Sequence, residues 1–592
     1  MSQTTAALHW RAPGKRAWAL AAALSFARCV QSNSDNLPGP EASGGAGGSA
    51  NSATSSGGKG GSSAGGKGGS TAATDANAMA GKDGGVPSSG GSTDAGPPPS
   101  ASGNPDDDSW LKRTVPIVWL EVGGKSLHRS SDTAGTIKVV EQHDGKSVLT
   151  SLDGLPVAVE SKMMMHIRGF SSGYLYNQKP YSIDLVDDAG MDSKASLLGL
   201  PKDAEWALAS CFSDKSCVRN ALAYWIGREM NQGTTHWTPR LRYVEVYLDG
   251  KYQGLYQLVE RIKGSNGRMN LDRPADTAAA GDMSGAYVIQ SYGDMATYKD
   301  APKDDTREFF DNVGSQLRWR YVYPGPKTIT TEQKAFVQKA FSDMHMGLIS
   351  QSPQVPKGAW KERFDQRSWQ QYFLAAELSN NADAFYRSFH VHKMPQAKGG
   401  KWHLGPLWDY DIAFGNIDYG QRFCANTSIL ATTPNSFQVP LNGDQEFQNE
   451  MKCRWYELRK DGGPFDGKRL EAYLDALVAH IKAAKTRDGT VWPMNVYTWP
   501  NNYVGGSLEN EVAYLKYWLR KRINWMDTSL KGTCTTVPAP AKLQPLTAPA
   551  PVADDKRLQT AMQKPPQYHP GFDGAKYQPI DSPACPPWPA GL

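Results

Sequence analysis

Acidic side chains occur in two groups in the second half of the chain, on either side of a glycine-rich turn. Asp383 follows a predicted helix, and Asp409 and Asp411 follow a short apolar strand. Two strands and a turn between the groups form a predicted hairpin, which could bring both groups to one pocket. Phosphoryl transfer uses such chemistry, because one carboxylate positions a hydroxyl nucleophile while others hold the metal ion that neutralises phosphate charge.

The two-residue spacing of Asp409 and Asp411 is compatible with two interpretations. On a strand they share one face, and in a turn both can reach one cation. Apolar residues surround them, and a buried carboxylate is costly unless it is paired or metal-bound. Alternatively, Asp409 caps a turn and Asp411 pairs with a nearby arginine.

A Gly/Ser turn in the first half of the chain is the second candidate site. Arg168 precedes Ser171 and Ser172, and Lys179 follows them. Backbone N–H groups of such a turn, together with two cations, can surround phosphates. The spacing is neither that of a P-loop nor G-x-G-x-x-G, so a hairpin turn with a solvated lysine fits equally well.

Three histidines fall on the predicted hairpin between the acidic groups. His390 and His392 lie two residues apart and can share a strand face, and His403 lies on the returning strand. No carboxylate or cysteine completes an evident ligand set with them. The sequence alone therefore does not predict a zinc site.

The elements that position these side chains change in type along the chain. Alternating apolar residues predict strands at 115–122, 242–248 and 251–259, the last two joined by an Asp249-Gly250 turn. Helical periodicity predicts helices at 217–230, 332–348, 366–378, 468–484 and 508–530. We therefore predict an α+β fold with a β-rich first part and a helical second part.

The composition divides the chain into four predicted regions. Residues 1–29 carry basic residues and an apolar run at 17–27 that is too short to span a bilayer, which predicts a signal peptide or a lipoprotein signal. Residues 30–108 are mostly Gly, Ser and Ala, which predicts a disordered linker, either a tether or an incidental insert. The folded domain is predicted at 109–535, and a Pro-rich tail at 536–592.

Cysteine content fits an exported protein. If Cys29 is the acylated residue of a lipoprotein, six cysteines remain, and this even number favours disulfides. Cys211 with Cys217 would close a small loop. Cys424–Cys453 and Cys534–Cys585 are the simplest other pairs, although the sequence does not fix them. We predict a secreted protein or an outer-membrane, cell-surface lipoprotein anchored through Cys29.

Several ordered motifs between residues 115 and 527 resemble those of the CotH kinase family of spore-coat proteins. They are R-G-F-S-S at 168–172 with K-P-Y at 179–181, P-K-D-A-E-W at 201–206, R-N-A-L-A-Y at 219–224, the hairpin at 244–260, and W-D-Y-D-I-A-F-G at 408–415. The resemblance implies an atypical protein-kinase-like fold with two lobes.

The resemblance also implies roles for the acidic residues. Asp383 would orient the acceptor hydroxyl and receive its proton, and Asp409, with Asp411 as the competing candidate, would bind Mg²⁺ or Mn²⁺. Five residues after Asp383, family members commonly carry Asn, which suits a second metal ligand. This chain has Ser388, a poorer neutral ligand, so metal affinity would be lower or activity absent.

On the phosphate side, the resemblance makes Lys179 the ATP-binding lysine. Arg168, Ser171 and Ser172 would support the same loop, and Glu260 would be a structural partner at the end of the central hairpin.

The function predicted from these features is an exported kinase that transfers the γ-phosphate of ATP to Ser or Thr of a surface or secreted protein. The alternatives are a surface-anchored binding or adhesion module without catalysis and a nucleotide-binding pseudokinase. The linker, the lipoprotein signal and Ser388 favour the binding or adhesion module. The net charge of +5 on 592 residues gives no indication of nucleic-acid binding.

Overall fold

The computed structural model describes residues 105–169, 171–271, 283–294, 308–310, 317–349, 360–417, 427, 444–498 and 500–552. The predicted signal and nearly all of the predicted linker therefore lie outside the described residues, as do Cys29 and most of the C-terminal tail. Across the described ranges, no helix combines the length and apolar composition that crossing a bilayer requires.

A closed barrel of seven strands forms the first part of the fold, in the order β1-β2-β3-β4-β5-β7-β6. The strands are β1 (Ile117–Glu121), β2 (Thr133–Val140), β3 (Val159–Ile167), β4 (Tyr181–Val186), β5 (Glu205–Ser210), β6 (Leu241–Leu248) and β7 (Lys251–Glu260). Parallel pairing of β1 with β6 closes the barrel, whereas the other neighbours are antiparallel. Alternate residues such as Val118, Leu120 and Met163 are fully buried in one apolar cluster.

The predicted hairpin of β6 and β7 is confirmed, together with its turn. Asp249 and Gly250 have φ of 48° and 76°, the left-handed conformation that a two-residue Asp-Gly turn requires. The Asp249 carboxylate also accepts N–H bonds from Val122 (2.7 Å) and Gly124 (2.8 Å). The turn therefore ties the hairpin to the end of β1.

A second sheet of five strands, in the order β12-β11-β8-β10-β9, was not predicted. Its strands are β8 (Tyr287–Asp294), β9 (Glu308–Phe310), β10 (Leu317–Tyr323), β11 (Arg387–Lys393) and β12 (Trp402–Leu404). The β11–β12 hairpin between the acidic groups was predicted. The other three strands of the sheet were not predicted, and they correct the prediction of a helical second part. The signal was present in β10, where Leu317, Trp319 and Tyr321 alternate with polar residues and are buried.

Eight α-helices occur in the described ranges, and the five predicted ones are confirmed within a few residues. They are α1 (Ser171–Leu175), α2 (Arg219–Asn231), α3 (Thr331–Ile349), α4 (Trp360–Arg363), α5 (Gln366–Ser379), α6 (Gln445–Arg459), α7 (Gly467–Asp488) and α8 (Leu508–Ser529). Strands and helices together confirm the α+β class.

Helix α5 is held at both ends, which matters because it leads directly to Asp383. The Asp365 side chain caps its first turn by accepting the Ser368 N–H at 2.6 Å. Near its C-terminus, the fully buried Arg522 of α8 donates to the Glu377 carbonyl (2.6 Å) and carboxylate (3.1 Å). The end of α5 is therefore fixed against the helical layer.

The disulfide predictions were partly wrong. Cys211 and Cys217 are bonded as predicted. Cys453 bonds Cys534, which excludes both the Cys424–Cys453 and the Cys534–Cys585 pairs. The folded chain brings the segment after α8 back to α6, a proximity that nearest-in-sequence pairing cannot reveal. Cys424 and Cys585 lie outside the described residues.

Candidate active site

Asp383 lies in a short turn between α5 and β11. The helix ends at Asn380, whose left-handed backbone (φ 47°) turns the chain and whose N–H bonds the Ala376 and Glu377 carbonyls. The Asn381 side chain then accepts the Asp383 N–H at 3.0 Å. Two consecutive asparagines thus orient the partly buried Asp383.

Helix α2 positions the loop that carries Asp409 and Asp411. Asn220 accepts the Tyr410 N–H at 2.6 Å, and the Asp409 N–H approaches the Tyr224 hydroxyl at 3.4 Å. The Ser213 hydroxyl donates to the Asp411 carboxylate. Asp409 itself is exposed and has a left-handed φ of 67°, which is unusual for a residue other than glycine.

Direct contacts join the two acidic segments. The Asn381 amide donates to the Asp409 carbonyl at 3.4 Å. The Ser388 hydroxyl, at the position where the related family has Asn, donates to Oδ2 of Asp409 at 2.9 Å. The turn after α5 and the loop after β12 therefore meet at Asp409.

The pKa values show that the three carboxylates lie in one electrostatic environment. Burial raises the pKa of Asp383 to about 6, with Arg387 opposing and Asp409 adding to the shift. Burial, followed by the charge of Asp409, raises the pKa of Asp411 to about 8, and Asp383 contributes to this shift. The site thus holds more negative charge than its neighbours compensate.

The three carboxylates alone do not form a complete metal-binding set. In the part of the chain that the structure describes, their oxygens do not all come within 4.8 Å of one another. Carboxylate oxygens are nevertheless the donors that Mg²⁺ and Mn²⁺ prefer, and a cation would offset the burial and the repulsion that raise the pKa values of Asp383 and Asp411. The donor set therefore fits a hard divalent ion.

Arg168 faces the acidic loop from the barrel. Its guanidinium lies over the Trp408 ring, 5.3 Å from the centroid. Burial and the nearby Arg261 cation lower its pKa to about 10, while Asp409 opposes the shift. Arg168 is thus a basic residue whose charge interacts with Asp409, as that of Arg387 does with Asp383.

The Gly/Ser turn differs from the open phosphate-binding loop considered from the sequence. Residues 171–175 form the short helix α1, and Lys179 Nζ donates to its last carbonyls, Gly173 (3.1 Å) and Tyr174 (3.3 Å). The segment does connect the antiparallel strands β3 and β4, as the hairpin alternative predicted, but Lys179 bonds carbonyl oxygens instead of being only solvated. The Ser171 side chain lies outside the described atoms, and Ser172 is partly buried.

Glu260 is fully buried at the end of β7 and pairs with Arg240 rather than with Lys179. Arg240 donates through Nη1 to Oε1 at 3.0 Å and through its backbone N–H to Oε2 at 2.9 Å. Burial raises the pKa of Glu260, and Arg240 opposes this rise. Glu260 therefore supports the barrel.

Sequence reasoning missed several residues that hold the site together. Asn220 was visible only as part of the R-N motif, and Asn381 only as one of two adjacent asparagines before Asp383. Tyr224 likewise lies in the R-N-A-L-A-Y motif, without an assigned role. Nothing in the local sequence identified Ser213 or Arg261, because each reaches the site across the fold.

The model of the CotH kinase protein family matches residues 165–526, more than half of the chain and most of its folded part. This protein therefore belongs to the CotH kinase family. None of the curated proteins compared with the chain matches it.

Proposed function

We propose that this protein is an ATP-dependent protein kinase of the CotH type, which transfers the γ-phosphate of ATP to a Ser or Thr hydroxyl of a surface or secreted protein. The observation that carries the proposal is the electrostatic coupling of Asp383, Asp409 and Asp411. In this proposal the barrel and the part that contains the second sheet and the later helices act as the two lobes of a kinase-like enzyme.

In the proposed reaction, Asp383 acts as the base. Because its pKa is about 6, it is ionised at neutral pH and can still accept the proton of an acceptor hydroxyl. Asp409 and Asp411 would hold Mg²⁺ or Mn²⁺. A bound ion would supply positive charge that offsets the negative charge of the ATP phosphates. Arg168 supplies a fixed positive charge next to this place.

The test compares wild type with Asp383→Asn, a change that removes the charge and keeps the size. Transfer from radiolabelled Mg-ATP to a generic protein acceptor should fall about a hundredfold or more, while nucleotide affinity by calorimetry stays within severalfold. Wild-type kcat/KM should rise as the pH increases through about 6, because only ionised Asp383 accepts the proton.

A matched control is Asp444→Asn. Asp444 caps α6 by accepting the Phe447 N–H at 3.0 Å, and Asn is an equally good cap, so fold and transfer should both be kept. Normal transfer by a folded Asp383→Asn protein would remove the proposed base. Failure of the wild type to bind Mg-ATP at millimolar concentration would favour the binding or adhesion module.

A nucleotide-binding pseudokinase is the second candidate, favoured by two contacts. Ser388 donates to a carboxylate oxygen of Asp409 that a metal would use, and Lys179 is engaged by the carbonyls of α1. Nucleotide binding without any transfer by the wild type would support this candidate.

Export is part of the proposal and is supported by two observations. The N-terminal sequence has the layout of a signal, and the two disulfides fit an oxidising compartment. Mass spectrometry of the mature N-terminus would distinguish a secreted chain from one lipidated at Cys29, and an uncleaved N-terminus would contradict export through this signal.

A further inference from the structure

Two histidines and a carboxylate converge at the N-terminal end of α5, the end opposite to Asp383. His236 lies in the segment after α2, Asp365 caps α5, and His403 lies on β12. Within the described ranges this is the only set of three His, Cys, Asp or Glu side chains whose ligand atoms all lie within 4.8 Å of one another.

The distances between these atoms suit one small cation. His236 Nε2 and His403 Nδ1 are 3.1 Å apart, and Asp365 Oδ1 lies 3.6 Å from the first and 3.7 Å from the second. In a tetrahedral zinc site, bonds of about 2.0–2.1 Å place neighbouring ligand atoms about 3.4 Å apart. The three atoms thus occupy three corners of such a tetrahedron with little movement.

The surroundings of His236 fix the tautomer that a metal needs. The Gln371 amide nitrogen donates to the Met230 carbonyl, so its Oε1 is the atom that faces His236 Nδ1 at 3.2 Å. Because an amide oxygen only accepts, Nδ1 must carry the proton, and Nε2 presents a lone pair to His403 and Asp365. Metal-ligating histidines are commonly oriented by such a partner on the other ring nitrogen.

The other two ligands are held by regular structure. His403 is 7% exposed and stacks on His392, its cross-strand partner, with ring centroids 5.0 Å apart. Asp365 is fixed by its capping bond to the Ser368 N–H. A small pocket lined by His236, Gln371 and His392 has a volume of about 30 Å³, enough for a water molecule beside His236.

We propose that His236, His403 and Asp365 bind one Zn²⁺ ion. Two imidazole nitrogens and one carboxylate favour zinc over Mg²⁺, which prefers oxygen ligands, so this site and the carboxylate site would take different metals. The ion would join the start of α5, strand β12 and the segment after α2. Helix α5 leads to Asp383, strand β12 leads to Asp409, and helix α2, which precedes the His236 segment, contacts Tyr410 and Asp409. The zinc would therefore stabilise the elements that position the candidate active site.

The test uses the full chain, purified without a histidine tag and stripped with a chelator. Calorimetric titration with Zn²⁺ in the presence of excess Mg²⁺ should show one site, and Co²⁺ in its place should give the strong visible absorption of tetrahedral coordination. Asp365→Asn removes one of the three ligands, so it should weaken zinc binding by more than about a hundredfold. This loss exceeds the one expected from changing a residue that only supports a metal ligand. Asn still caps a helix, so α5 should be retained.

A second variant and a control separate this site from other zinc binding. His403→Gln should lose the same binding, whereas His480→Gln should keep it, because His480 is a partly enclosed histidine that packs on Trp110 and Tyr243 instead. No zinc uptake by the wild type, or equal uptake by Asp365→Asn, would overturn the proposal. The readout is metal binding, so the result does not depend on kinase activity.

Discussion

The charged side chains on the barrel side of the candidate active site have complete partners within the protein, whereas the carboxylates on the acidic side are only partly compensated. Lys179 donates to two carbonyls of α1, and Glu260 is paired with Arg240. On the acidic side, burial and mutual repulsion raise the pKa values of Asp383 and Asp411. The two regions therefore differ in where their compensating charge comes from.

This difference distinguishes residues that stabilise the fold from residues that are available to bind a ligand. A buried pair that is complete within the fold stabilises its surroundings, and breaking it leaves a charge without a partner. A buried carboxylate group whose charge its neighbours offset only in part is costly to the fold, and such a cost is common at functional sites. The comparison makes opposite predictions for substitutions in the two regions.

The largest effect is expected at Glu260. Glu260→Ala should lower the free energy of unfolding by about 3 kcal/mol, because Arg240 loses its buried carboxylate and keeps only the more exposed Asp106 as an ionic partner. Chemical denaturation measures this loss. The matched control is Glu160→Ala in β3, which removes an exposed ion pair with Lys138 and should change stability by less than about 1 kcal/mol.

If Glu260 served the nucleotide rather than the barrel, the pattern would reverse. The Mg-ATP affinity of the folded fraction would then fall while stability changed little, and the contrast between the two regions would be lost.

The next effect has the opposite sign and concerns Asp411. The pKa of an aspartate side chain is ordinarily 3.8, whereas that of Asp411 in the folded protein is about 8. The folded protein therefore retains a proton that the unfolded chain releases. The associated stability is complete below about pH 4 and is lost as the pH rises towards about 8. Metal-free Asp411→Asn should therefore exceed wild type by on the order of 2 kcal/mol at about pH 9, and match it near pH 4.

Thermal melting across this pH range, with and without Mg²⁺, checks the prediction. Mg²⁺ should stabilise the wild type more than Asp411→Asn, because only the wild type offers the extra carboxylate. A variant that is less stable than wild type at high pH without metal would show that the fold itself compensates Asp411.

The fold was predictable where local patterns carry the information. The Asp249-Gly250 hairpin and the five helices have periodic apolar residues and clear ends, and each formed as predicted. The closure of the barrel by parallel pairing of β1 with β6 joins strands more than a hundred residues apart, so no local pattern could indicate it. The Cys453–Cys534 bond was missed for the same reason.

At the site, residue types were more predictable than their partners. The family motifs identified Asp383, Asp409 and Asp411, and the hairpin between them formed as expected. The contacts of Lys179 with α1 and of Glu260 with Arg240 depend on side-chain directions that spacing does not determine. The same limit explains why His403 was noted without His236 and Asp365, which approach it from other segments.

The smallest effect is expected at Lys179, which bonds carbonyls on the barrel side and is also the predicted phosphate-binding lysine. Lys179→Met keeps the apolar stem but loses the ammonium, so Mg-ATP affinity should fall about tenfold, or about 1.4 kcal/mol. The loss is moderate because the wild-type lysine must give up the Gly173 and Tyr174 carbonyls to reach a phosphate. Calorimetry measures it, with the exposed Lys162→Met of β3 as the control. An unchanged affinity accompanied by a lower melting temperature would place Lys179 with Glu260 among the supports of the barrel, and the nucleotide would then depend on Arg168 for its positive charge.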